Sequence, residues 1–223
     1  MKSLQTVLSC AALLICSCLG LRAASTDTAT YTPNETIPDN DLNGISDTHT
    51  FTTSIESISD ITISLDISGG YAGDYYAYLR HGDSTFAVLL NRIGRTGADN
   101  FGLIGSGFNI TLSSTAPGDV HNATTTGGIV TGTWQPDGRN VDPLSALDTS
   151  PRTALFDVFN GMDPNGDWTL FIADTSPVGI GTLQDWSLSV TGEPVPEPAS
   201  LSLLSLGGLA VWLRYRHQRR ARR

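Results

Sequence analysis

The chain has 223 residues, with 22 Asp and Glu against 13 Lys and Arg and a net charge of −9. All 22 carboxylates lie between Asp27 and Glu197, where only Arg80, Arg92, Arg95, Arg139 and Arg152 oppose them, so that stretch carries −17. A surface of that sign repels phosphate backbones, which excludes nucleic-acid binding, and it leaves many carboxylates for divalent cations.

The chain opens as an export leader. Lys2 supplies a positive n-region, Val7 to Leu21 an apolar run, and Ala23-Ala24-Ser25 the small residues of a cleavage site. This predicts a signal peptide over 1–25 and a mature chain from about Thr26. A rival reading takes Ile15-Cys16-Ser17-Cys18 as a lipoprotein box with Cys18 lipidated. Cys10, Cys16 and Cys18 all lie in the leader, so the mature chain is expected to have no disulfide, thiol nucleophile or thiolate metal site. It must hold itself by its core or by a bound metal.

Residues 26–36 read as a polar lead-in, 37–192 as one domain and Gly192–Pro194 as a linker. Period-two alternation dominates that domain. Ile61, Ile63, Leu65 and Ile67 alternate with polar residues, as do Trp186, Leu188 and Val190. Trp168, Leu170 and Ile172 alternate too, with Phe171 giving that strand a second apolar face. Further strands are predicted over 48–53, 75–80, 86–90, 108–113 and 129–134, separated by turns such as Gly69-Gly70 and Asn165-Gly166. Only Ser145–Asn160 has room for a helical turn, and Pro151 interrupts it. The fold class is therefore all-β, a β-sandwich.

Several segments carry a family likeness. Ile37-Pro38-Asp39-Asn40 opens the domain, and Gly73-Asp74-Tyr75 precedes a strand. The close is Asn165-Gly166-Asp167-Trp168-Thr169-Leu170, Ala173-Asp174, and Gly181-Thr182-Leu183-Gln184-Asp185-Trp186-Ser187-Leu188. Over residues 37–192 this resembles the P domain (Homo B domain) that follows the catalytic domain of proprotein convertases. The resemblance implies a jelly-roll β-sandwich like galactose-binding modules, often with calcium. No protease domain accompanies it here, and the usual Gly-Asp-Leu reads Gly-Asp-Tyr.

Asp39, Asp41 and Asn43 before Gly44 set oxygen ligands at alternate positions ahead of a bend, the way a loop delivers oxygens to calcium. Asp174 joins them if the two ends of the domain lie side by side; Asp74 and Asp163 are weaker additions. The alternative is a solvated acidic turn. Trp168 and Trp186 read as core. Trp134 and the cluster Tyr75, Tyr76 and Tyr78 are candidates for an exposed aromatic ligand surface, against ordinary strand packing. A polysaccharide of the extracellular matrix is the partner such a surface suggests.

Catalytic patterns are absent from the sequence. His49, His81 and His121 are scattered, with no His-Glu-x-x-His; no Gly-x-Ser-x-Gly elbow exists. The glycine-rich stretch from Gly94 to Gly107 has no following helix to cradle phosphate. The expectation is a non-catalytic binding or scaffolding module. A small glycan hydrolase using paired carboxylates, or a protease helper acting in trans, are the alternatives.

The tail has three parts: Pro196-Glu197-Pro198, an apolar stretch over 199–213, and six arginines over 214–223. At about 15 residues the apolar stretch is shorter than the roughly 20 that span a bilayer, and Arg214 can snorkel to lengthen it. A poor single-pass anchor is one reading. The three parts in this order resemble a PEP-CTERM sorting signal. That resemblance implies an exosortase partner, a transient membrane helix, cleavage near Pro196–Pro198, and release to the bacterial envelope or matrix.

Overall fold

The computed structural model describes residues 23–194 and five helical positions of the tail, Gly207, Gly208, Trp212, Arg214 and Gln218. The signal peptide expected over 1–25 falls almost wholly outside the described residues, as do Pro196, Glu197, Pro198 and most of the 199–213 helix. Among the described residues, no helix is long and apolar enough to cross a membrane.

The described residues form β1 (Ser25–Tyr31), β2 (Glu35–Ile37), β3 (Asp41–Phe51), β4 (Ile55–Gly69), β5 (Tyr75–His81), β6 (Thr85–Asn91), β7 (Gly107–Ser113), β8 (Thr125–Thr126), β9 (Ile129–Trp134), β10 (Gly166–Asp174) and β11 (Gly181–Pro194). One sheet runs β1-β11-β4-β7-β9-β8, with β2 also on β11; the other runs β3-β10-β5-β6. The pairs are antiparallel except β7 with β9. The helical turn expected between 145 and 160 is a 3-10 turn at Phe156–Phe159.

The alternation decides the core. Ile61, Ile63, Leu65 and Ile67 of β4 bury between the sheets with Leu183, Trp186, Leu188 and Val190 of β11. Trp168, Leu170 and Ile172 of β10 and Tyr75, Ala77 and Leu79 of β5 belong to the same buried cluster. Trp168 and Trp186 are fully buried, yet they belong to different sheets. Burying a side chain of this size contributes on the order of 2–3 kcal/mol.

Two boundaries change. The segment expected as a polar lead-in is structured: β1 pairs with β11 from Ser25↔Gly192 to Tyr31↔Trp186, and β2 pairs with Leu183 to Gly181. At the other end Gly192–Pro194 is no linker, because β11 continues to Pro194 opposite Ile55 of β4.

The strand ends sort into two poles. Asp41, Asp174 and Tyr75 share one end of the smaller sheet, and Gly69 and Gly181 share one end of the larger. The Tyr75 hydroxyl donates to the Gly69 carbonyl at 3.1 Å and ties these ends together. Pro194 and Ser25 lie at the opposite pole.

Candidate functional site at the loop pole

Turn chemistry builds this pole. The β10–β11 connection, the β4–β5 connection and the long loop after β6 meet there. Gly73 has no room for a Cβ, because Leu103 N and the Phe101 carbonyl lie 2.7 and 2.5 Å from where it would stand. That close approach lets the loop dock: Gly73 N donates to Leu103 O at 2.9 Å, Leu103 N to Ile93 O at 2.8 Å, and Ala72 N to Gly105 O at 2.9 Å. The Asp99 carboxylate accepts from Phe101 N at 2.9 Å and fixes the loop tip.

Three carboxylates face this pole. Asp174 is fully buried and Asp74 nearly so. Asp174 Oδ1 accepts from Ser176 N at 3.1 Å, whereas Oδ2 is buried with no hydrogen-bond partner. Burial, and then the neighbouring charges of Asp74 and Asp39, raise the Asp174 carboxyl to about 6. Burial raises Asp74 as well, against the hydrogen bond from Ser176 and the charge of Arg92. Asp39 lies close enough to be felt by both, and its Oδ2 accepts from Val178 N at 3.2 Å.

The other expected calcium ligands are placed differently. Asp41 pairs with Asp174 across β3 and β10, so the two ends of the domain do lie side by side. The Asp41 Oδ1, however, accepts from Asn43 N and Nδ2, both at 2.9 Å, and Asn43 is exposed. Asp163 makes the same turn with Asn165, next to β10's other end. Among the described residues no three His, Cys, Asp or Glu side chains are assembled as a metal cage. Asp39, Asp74 and Asp174 are the carboxylates this pole brings within electrostatic reach of one another, one of them carrying an unpartnered buried oxygen.

The expected aromatic surface divides into three places. Tyr75 is a correction: it is fully buried, because period two puts 75, 77 and 79 on the inner face. Tyr76 and Tyr78 are half-buried on the outer face. Tyr78 stacks on Phe171 at 4.7 Å and meets Phe86 edge-on at 5.8 Å; burial pushes Tyr76 up to about 12. Trp134, half-buried on β9, donates Nε1 to Thr131 O at 2.9 Å and belongs to the other sheet.

Beside the carboxylates opens a cavity of about 740 Å³, within the range of small-molecule pockets, lined by Tyr71, Asp74, Arg92, Arg95, Phe101 and Ile104 among others. Of these, sequence reasoning singled out only Asp74; the glycine spacing of 94–107 was the visible signal of the loop that forms it. Arg92 Nη2 reaches Asp74 Oδ1 at 3.4 Å and its Nε donates to Gly73 O at 3.1 Å. Burial, and then Arg95, lower the Arg92 guanidinium's pKa.

A second polar cluster is internal. His121 Nδ1 bonds Asp137 Oδ2 at 2.8 Å and Nε2 faces the Arg95 carbonyl at 2.9 Å. Arg139 joins Asp137 to Asp119, at 3.3 and 2.8 Å. Both imidazole nitrogens are therefore engaged by acceptors.

Residues 194–220 match the PEP-CTERM protein-sorting motif. No curated protein matches the chain. Among solved structures, a chain of the Aeromonas sobria serine protease and chaperone complex is similar with a TM-score of 0.45 and 14% identity, over 83% of this chain and 30% of that one. The serine protease of Aeromonas sobria alone gives 0.43 and 13%, over 81% and 29%. The chain thus spans less than a third of the length of these solved chains. It is an exported, all-β protein that carries a PEP-CTERM sorting motif.

Proposed function

We propose that the exported domain is a non-catalytic binding or scaffolding module of the cell surface or extracellular matrix, supported by calcium. The observation that carries this reading is the loop pole itself. There Asp174 Oδ2 is buried without a partner beside Asp74 and Asp39, next to an open cavity. Asp39, Asp74 and Asp174 are the residues that would hold calcium, which would add its charge to that of Arg92, the cation already beside them. The sandwich is assigned to the jelly-roll P-domain type, on the Asn165–Leu170 and Gly181–Leu188 segments that build β10 and β11.

Two His–Asp pairs occur among the described residues, His49–Asp47 and His121–Asp137, and the second is internal. His121 and Asp137 are buried, and both His121 nitrogens are committed to acceptors. Two acceptors favour the doubly protonated ring, which holds His121 in place as a structural cation.

The test is thermal melting of the full chain in calcium and in magnesium at matched ionic strength. A ligand at a hundredfold excess over its Kd stabilises by about 2.7 kcal/mol, which at this size raises Tm by roughly 5–10 °C. Equal melting temperatures in calcium, magnesium and EDTA would remove calcium from the reading.

A further inference from the structure

We propose that the loop-pole cavity binds a carboxylate-bearing sugar, an acidic residue of an extracellular glycan. This names the ligand class of the module proposed above and rests on that reading. Four observations converge. First, two of the five arginines of the acidic domain line this one cavity, and Arg95 Nε is buried without a hydrogen-bond partner. A guanidinium that is more than nine-tenths buried with an open donor is costly unless something accepts from it. A planar carboxylate matches the guanidinium fork.

Second, the lining holds charge of both signs. Asp74, next to Arg92, is an acceptor for hydroxyls, while the arginines are donors. A ligand that uses both carries hydroxyl groups as well as a carboxylate. Third, the rim is apolar and exposed: Phe101 is 82% exposed, Ile104 78% and Tyr71 42%. Phe101 sits on a loop tip whose backbone is bonded to Asp99, so it is held out and not simply loose. Presenting an aromatic face beside a polar floor suits the apolar face of a sugar ring. Fourth, Arg92 holds a positive φ of 50°, rare for a bulky side chain and found where a site demands it.

The elsewhere negative domain also selects the form of the ligand. A long polyanion lying across the surface meets a strongly acidic domain, whereas one acidic residue entering this cavity meets the arginines.

The decisive experiment is an NMR titration of the full chain with methyl β-glucuronide and methyl β-glucoside, which differ at a single carboxylate. We expect the glucuronide to bind at least tenfold more tightly, moving resonances of residues 71–74 and 92–104. Phe101→Ala, at an exposed position, should weaken both sugars at least fivefold without changing Tm. Arg95→Gln should reduce the glucuronide to the level of the glucoside; if that variant does not fold, Phe101→Ala decides. Equal affinity for the two sugars, or undiminished binding by Phe101→Ala, overturns the proposal. So does equally tight binding of an acetylated glutamate amide, which would assign the site to acidic peptides. If no sugar binds while calcium still raises Tm, the ligand class falls and the calcium-supported module stands.

Discussion

Trp186 on one sheet donates its indole N–H to Asp47 Oδ2 on the other at 2.7 Å, so a single hydrogen bond joins β11 to β3 through the core. Around it Tyr31 stacks on His49 at 3.9 Å, and His49 in turn bonds Asp47. Removing the acceptor strands a buried N–H, which costs about 1–3 kcal/mol. Asp47→Ala is expected to lower Tm by roughly 3–10 °C. In a Trp186→Phe background, where no N–H remains, the same change should cost much less. Equal costs in both backgrounds would mean the bond contributes nothing.

Asp174 makes stability depend on pH in a definite direction. Its folded carboxyl titrates at about 6, above the ordinary value, so the fold binds a proton that the unfolded chain has released. Without calcium, stability should therefore fall as pH rises from about 4 to 6, by about 2–3 kcal/mol in total. Asp174→Asn should remove that slope, raise Tm in EDTA at pH 7, and abolish the gain from calcium. Melting curves at pH 5 and pH 7.5, with and without EDTA, read all three; a lower Tm for Asp174→Asn in EDTA at pH 7 contradicts the argument.

His121 is raised above its ordinary value. Burial opposes its charge, but the bonds to Asp137 and to the Arg95 carbonyl outweigh it. Its stabilising contribution is then complete below the unfolded imidazole value and is lost as pH climbs through the folded one. Proton NMR should show its ring titrating above 6.5, the usual histidine value. Asp137→Asn leaves the imidazolium without its buried counter-charge, while Arg139 keeps Asp119, and should cost about 3–5 kcal/mol.

Replacing Pro196, Glu197 and Pro198 by alanine is expected to leave an uncleaved, membrane-held precursor in the native host. Immunoblots of cell and culture fractions check it. Unchanged release of a C-terminally trimmed protein refutes cleavage near these residues.

How much of this was legible follows from how each residue signals its place. The strands with an apolar face were visible, because Ile61 to Ile67 and Trp186 to Val190 each write the inner face in alternate letters. β1 was not. As an edge strand it alternates only between half-buried and exposed positions, and Ser25–Tyr31 offers just Ala29 and Tyr31 as apolar residues. Tyr75 was misplaced because three nearby tyrosines look alike, although the same parity that fixes Leu79 inside puts Tyr75 there too. Asp41 and Asp174 did meet, as the side-by-side ends required. The cavity stayed hidden because the glycine spacing of 94–107 marks a loop but not that it docks on Ala72 and Gly73, which is what brings residues 92, 95 and 101 beside Tyr71.

The course of β11 has a consequence for orientation. The strand starts at Gly181, beside the carboxylates and the cavity, and ends at Pro194, where the sorting motif begins. At about 3.3 Å per residue it separates the two by roughly 45 Å. Whatever grips the chain beyond Pro194, a bilayer or an enzyme that joins it to the envelope, grips the far end of a rigid post. The cavity therefore lies at the pole opposite Pro194, with the length of β11 between it and the start of the sorting motif.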